Sequence, residues 1–257
     1  MSKIAKAFQN QKAFIAFVTG GDPDLQTTAE LILRIDKAGA DIIEIGIPFS
    51  DPVAEGPVIQ KADERALSGG CTTDKIIDML RGLRGKMEAA LVFMTYINPV
   101  FAYGKDRFLQ ACRDCGVEGV IIPDLPFEEK DEIAEDCKKY GVKLISMIAP
   151  TSEARIEMIA KEAEGFLYCV SSMGVTGVRN SIETDLEAMI RQVKKVSSIP
   201  CAIGFGISTP EQAREMATIG DGVIVGSAIV ERVSQYGKGA VSQVASYVKE
   251  MKAAIND

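Results

Sequence analysis

The sequence contains no histidine. Proton transfer near pH 7 must therefore fall to carboxylates, lysine, tyrosine or cysteine, and a carboxylate with a raised pKa is the natural instrument. Long apolar runs are missing too. Charges or glycines break every hydrophobic stretch short of the roughly 20 residues a membrane span needs. There is no sustained basic run and the net charge is −7, which speaks against a nucleic-acid partner. The opening Met-Ser-Lys-Ile-Ala-Lys-Ala-Phe-Gln is too short and polar for a secretory signal and reads as a short amphipathic helix. A cytoplasmic protein is expected. Cysteines stand at 71, 112, 115, 137, 169 and 201, and only Cys112 and Cys115 have a redox-like or zinc-like spacing. No second pair and no histidine completes a metal set, so no metal is expected and these two read as helical thiols. Cys169 and Cys201 fall in apolar strand runs and read as small core residues, with no disulfide required.

With 25% charged and 47% hydrophobic residues, the 257-residue chain has an ordinary globular composition. Length alone allows one large α/β domain or two small ones. Short β-rich runs alternate with helical patterns from end to end. Strands are expected at 13–19, 41–47, 89–96, 119–124, 143–149, 165–171, 200–206 and 221–225. Helices are expected at 25–38, 73–84, 105–115, 127–140, 152–163, 184–197, 209–219 and 239–255. Thr209-Pro210 reads as a helix start, with the threonine as cap, and Ser152 opens another. An open doubly wound sheet is the rival architecture, but Gly204-Phe205-Gly206 lacks the third glycine of a dinucleotide fingerprint, and Gly85-Lys86 runs into Met87 rather than a Walker-type Ser or Thr. No linker or composition break divides the chain. The expectation is one domain over 1–257, a (β/α)8 TIM barrel with a short N-terminal helix and an extra short helix after strand eight.

The most informative stretch is 41–60. Its strand, rich in Ile, carries one carboxylate, Glu44, and the rigid loop that follows (Pro48, Asp51, Pro52, Gly56, Pro57) presents a second, Glu55. A buried carboxylate needs a partner or a task. On the strand alone a structural ion pair is the favoured reading; the loop at its C-terminal end, where parallel α/β folds bind ligands, shifts the balance toward catalysis. Glu44 shares parity with Ile42 and Gly46, opposite Ile43, Ile45 and Ile47, which suits a barrel-facing acid. Two further turns, Gly204-Phe205-Gly206 and Gly226-Ser227, follow strands seven and eight, where barrels often hold phosphate. Ser227 opens a helical pattern whose N-terminal dipole favours an anion, and Gly206 and Gly226 let backbone amides approach it. Loop 171–183, rich in Gly and Ser, reads as a lid.

Taken together, Phe17-Val-Thr-Gly-Gly-Asp-Pro, Glu44-Ile-Gly-Ile-Pro-Phe-Ser-Asp-Pro-Val-Ala, Gly56-Pro-Val-Ile-Gln, Gly174-Val-Thr-Gly, Gly204-Phe-Gly-Ile-Ser and Gly226-Ser-Ala-Ile-Val resemble the α subunit of tryptophan synthase, in that family's order. The loop from Gly46 to Asp51 is the most diagnostic. The resemblance implies a lyase that splits indole-3-glycerol phosphate to indole and glyceraldehyde 3-phosphate. It implies Glu44 as general acid and base and the loop carboxylate, Glu55, as the partner of the indole N–H. Phe17 and Tyr168 would line the pocket, Thr176 and Gly177 would come from the lid, and Gly177, Gly206, Gly226 and Ser227 would hold phosphate. No cofactor is implied in this chain. Pyridoxal phosphate would belong to a partner β subunit in an α-β-β-α assembly, facing loop 48–58 and the segment 98–104.

One position departs from the family, whose Ala-Asp-Gly is Ala54-Glu55-Gly56 here. The charge moves by roughly 1 Å, enough to cost on the order of a hundredfold in rate. The expectation is that Glu55→Asp leaves substrate affinity near unchanged and raises the cleavage rate. The alternative function is a weakly active or non-catalytic subunit that binds substrate and activates a β partner. A sugar-phosphate isomerase or epimerase fits less well, because such enzymes lean on histidine or metal, and a Schiff-base aldolase lacks a lysine at a strand's catalytic end.

Overall fold

Strands built from unbroken runs of Val, Ile, Leu and Phe need cover on both faces. The computed structural model supplies it by rolling the strands into a barrel inside a ring of helices. It describes residues 1–150, 152–170, 179–204 and 206–256, the side chains of 179–185 excepted. Among these the strands are β1 (Ala13–Thr19), β2 (Ile42–Gly46), β3 (Ala90–Met94), β4 (Val117–Ile121), β5 (Lys143–Ile145), β6 (Met147–Ile148), β7 (Leu167–Cys169), β8 (Cys201–Ile203) and β9 (Gly222–Val225). All pairings are parallel, in the order β5-β4-β3-β2-β1-β9-β8-β7-β6. The two ends of that order, β5 and β6, are consecutive in the chain and parted only by Ser146. The expected fifth strand is thus one segment that pairs with β4 through its first half (Ile121 opposite Ile145) and with β7 through its second (Met147 opposite Tyr168). The ladder changes sides at Ser146, whose carbonyl accepts from the Tyr168 N–H at 3.0 Å. The result is a (β/α)8 barrel with the fifth position divided in two.

The helices are α1 (Lys3–Ala7), α2 (Leu25–Lys37), α3 (Pro57–Ser68), α4 (Thr73–Leu83), α5 (Ile97–Tyr103), α6 (Lys105–Cys115), α7 (Asp131–Tyr140), α8 (Glu153–Glu162), α9 (Arg179–Val196), α10 (Pro210–Ile219), α11 (Ser227–Tyr236) and α12 (Ala240–Ala254). The short N-terminal helix and the extra helix after the last strand are α1 and α11. Thr209 caps α10 in a capping box with Gln212, and Pro210 stands at its start. Ser152 stands at the start of α8 without a side-chain cap bond. Two helices run where loops are expected. Gly56-Pro57 reads as a turn, yet Pro57 is the first residue of α3, the place where its missing N–H costs nothing. Likewise Pro99 falls in the first turn of α5. The pattern at 127–140 divides into a 3-10 turn, Phe127–Glu129, and α7, while α9 begins five residues earlier than its periodicity indicates.

Two apolar shells result. Outward-facing Phe14, Ala16, Val18, Ile43 and Ile45 pack with Leu31, Ile32 and Ile35 of α2 and their counterparts around the ring. Inward-facing Ile15, Phe17, Ile42, Val92, Ile121 and Ile224 fill the barrel. Its lower mouth is stoppered by α1, which buries Ile4 and Ala7 there and stays put because Glu118 accepts the N–H groups of Lys3 and Ile4 at 3.2 Å each. All six cysteines are free and buried, Cys112 and Cys115 in α6, Cys169 and Cys201 in strands, as expected. Among the described residues no helix is long and apolar enough to cross a membrane. Because Ile42 is fully buried inside the barrel, Ile42→Ala is predicted to cost about 2–5 kcal/mol of stability in urea unfolding. A loss under about 1 kcal/mol would mean the interior is loosely packed.

Candidate active site

Glu44 is the third residue of β2 and lies across the ladders from Phe17 of β1 and Val92 of β3. Its residue is 1% exposed, and among the described residues neither Oε1 nor Oε2 meets a hydrogen-bond partner. An ion pair would hold both oxygens to a cation; here they face a cavity instead, so the structural ion-pair reading fails. Burial, and secondarily the charge of Glu55, pushes its pKa up to about 8. At neutral pH the side chain carries a proton it can give away.

The cavity, about 450 Å³, opens at the C-terminal ends of the strands. It gathers every described residue among those expected: Phe17, Glu44, Glu55, Tyr168, Gly206, Gly226 and Ser227. Thr176 and Gly177, with the lid segment 171–178, lie outside the described residues. Met94, Ile59 and Met147 add apolar wall that the motifs did not reveal. Tyr168 leans against the backbone of Gly204, where a Cβ would come within 2.7 Å of its ring. Burial, with the Glu44 charge, holds the Tyr168 hydroxyl far above its ordinary range.

The two glycine turns line the same cavity as the acids. Gly206 adopts φ +60, open to a glycine without strain. Gly226 precedes α11 and Ser227 begins it, and no side chain caps that helix. Among the described lining residues there is no lysine or arginine. An anion bound here would be held by amide N–H groups and the dipole of a ten-residue helix.

Glu55 hangs on the loop between β2 and α3. The loop is tied down by the Ala54 N–H, which donates to the Tyr96 hydroxyl at 3.1 Å, and by Gln60 Nε2, which donates to the Glu55 carbonyl at 2.7 Å. Burial raises the Glu55 pKa, while hydrogen bonds from Asp63 and Tyr96 draw it down. Asp63 and Tyr96 were not anticipated. Asp63 interrupts the small-residue stripe Ala62, Ala66 on the buried face of α3, a signal legible only once α3 is known to be a helix. Among the described residues no cluster of three or more metal-ligating side chains occurs.

A parallel barrel whose strand-end cavity is lined by an unpaired interior acid and by two glycine turns defines a (β/α)8 barrel with its candidate site at the C-terminal ends of the strands. The model of one family, tryptophan synthase alpha chain, matches residues 4–256. The tryptophan synthase alpha chain of Lacticaseibacillus casei is 48% identical over 256 residues, spanning 100% of this chain and 96% of that one. That of Thermoanaerobacter sp. (strain X514) is 46% identical, spanning 99% and 100%. The crystal structure of tryptophan synthase subunit alpha from Legionella pneumophila superposes with a TM-score of 0.90 at 36% identity, covering 99% of this chain and 98% of that one. The chain belongs to the tryptophan synthase alpha chain family, and its role is that of a lyase-type subunit in tryptophan biosynthesis.

The raised pKa of Glu44 has a sign. The folded state binds this proton more tightly than the unfolded chain, so the stabilisation is complete below about pH 4.5 and is lost as pH rises through about 8. Glu44→Gln is therefore predicted to gain stability relative to the parent at pH 8, with the gap closing toward pH 5, in urea titrations at the two pH values. An equal offset at both would show that Glu44 titrates normally.

Proposed function

We propose that the chain cleaves indole-3-glycerol phosphate to indole and glyceraldehyde 3-phosphate by a retro-aldol route in which Glu44 shuttles one proton. In its neutral form Glu44 donates to C3 of the indole ring, which leaves positive charge delocalised toward the ring nitrogen. The resulting carboxylate then accepts the proton of the adjacent glycerol hydroxyl. The carbon–carbon bond breaks, its electron pair returns to the ring, the hydroxyl carbon becomes the aldehyde, and Glu44 ends in its starting state. Glu55, kept ionised, would accept the indole N–H and oppose the developing charge. Phe17 and Tyr168 would flank the ring, and amides at Gly206, Gly226 and Ser227 would hold the phosphate, with Thr176 and Gly177 closing over the substrate.

The observation that carries this reading is the unpaired Glu44 carboxyl facing the cavity with a pKa of about 8. A single group serves as both acid and base only if its pKa lies near the working pH. A subunit that merely activates a partner has no need of such a group, and nothing in the site favours that alternative. The chemistry as written requires no cofactor here; pyridoxal phosphate would sit in the β partner. Family membership implies a β subunit, and an α-β-β-α assembly is proposed with loop 48–58 and α5 at the contact. Val53 at 79% and Phe101 at 44% exposure support that placement, as apolar side chains left open on this rim.

Glu44→Gln is predicted to lower indole release by about 10²–10⁴-fold while substrate still binds, measured as indole formed by the chain alone and with a β subunit added. Near-parental release would remove Glu44 from the mechanism. Separately, Val53→Asp is predicted to weaken β-subunit binding by about tenfold or more in titration calorimetry. An unchanged Kd would put the contact elsewhere.

A further inference from the structure

Asp63 is 3% exposed inside α3, yet among the described residues no lysine or arginine is seen to pair with it. Its hydrogen-bonding neighbours are the backbone N–H of Phe49 and the carboxyl of Glu55. Glu55 in turn has a buried Oε2 that meets no N–H of the described residues. Two carboxyl groups in contact cannot both be ionised away from water; one must carry the proton that bridges them. The charges around the pair reinforce this. Asp22, on the loop after β1, adds a further negative charge toward Asp63. Arg65, two residues on in α3, is committed to Asp22 through two bonds of 2.9 and 2.8 Å. From β2 comes the Glu44 carboxyl, and from the end of β3 the Tyr96 hydroxyl, which accepts from the Ala54 N–H and, its pKa held high by burial, keeps its own proton to donate.

From this arrangement we infer that Asp63 is a positioning residue: its protonated carboxyl donates a hydrogen bond to Glu55, fixing the Glu55 carboxylate as a charged acceptor aimed into the cavity. The proton resides on Asp63 rather than Glu55 because the two are unequally served. Glu55 receives donors from both Asp63 and Tyr96, which favour its ionised form. Asp63 is pushed up to about 8 by burial and by the Glu55 charge. The geometry also reverses the expectation for Glu55→Asp. Shortening the side chain by one methylene withdraws it by roughly 1 Å from Asp63 as well as from substrate, so the rate falls rather than rises.

This inference deepens the proposed lyase reading and rests on it for its kinetic arm. A second arm is independent of activity. In protein labelled with 13C at the aspartate side-chain carboxyls, without substrate, one resonance is expected to titrate near pH 8 and to vanish in Asp63→Asn. If every aspartate titrates in the ordinary carboxylate range, the inference is overturned whatever the enzyme does. In the kinetic arm Asp63→Ala is expected to lower kcat for indole release by about tenfold or more, and Asp63→Asn, which keeps an N–H donor, to restore most of it. Equal damage in both variants, or none in Asp63→Ala, overturns the inference. A parent chain that releases no indole with its β partner would instead overturn the lyase reading, while the carboxyl titration still decides the pair.

Discussion

An acid without a counter-charge sits inside the barrel, and the rest of the site answers to it. Among the described residues nothing hydrogen-bonds to either oxygen of Glu44. The fold tolerates it because the side chain can be neutral, and the ladder on either side, Phe17 and Val92, supplies the dry wall that keeps it so. A lysine nearby would relieve the burial and at the same time fix the carboxylate in its ionised form, ending its use as a donor. The missing partner is thus a requirement of the proposed proton shuttle.

The fold spends structure on keeping one end of the barrel shut and the other open. Ile4 and Ala7 fill the lower mouth, and Glu118 holds the stopper by backbone N–H groups that would otherwise have no partner at the start of α1. Ligand and water can then reach Glu44 only from the side where the glycine turns and the Glu55 loop stand. A carboxyl buried in strand parity and a helix N-terminus left uncapped line one cavity because both belong to C-terminal ends of parallel strands.

Much of this was legible in the residues. Period-2 parity placed Glu44 inward, and unbroken apolar runs placed the strands between two shells. Glycine turns after the last two strands were expected at the cavity, and Gly206 and Gly226 do line it together with Glu44. What stayed hidden had a common cause. Pro57 read as part of a rigid loop and no helix was expected at 98–104, although Pro57 and Pro99 each stand in a first helical turn, where proline is at home. With α3 taken for loop, Asp63 had no face to sit on, and its contact with Glu55 could not be inferred. Tyr96 was hidden for a related reason: its partner is the backbone N–H of Ala54, which no side-chain pattern records.

The anion pocket's lack of lysine or arginine bears on how a substrate arrives. A doubly charged phosphate ester approaching this molecule meets a surface of net charge −7 and no lysine or arginine among the described residues that line the cavity. Amide dipoles act only at short range, so capture is local while the far field repels. Dissolved salt shortens that repulsion and leaves the contact dipoles nearly untouched. Entry should therefore quicken as ionic strength rises, the reverse of enzymes that draw phosphates in through a cationic throat.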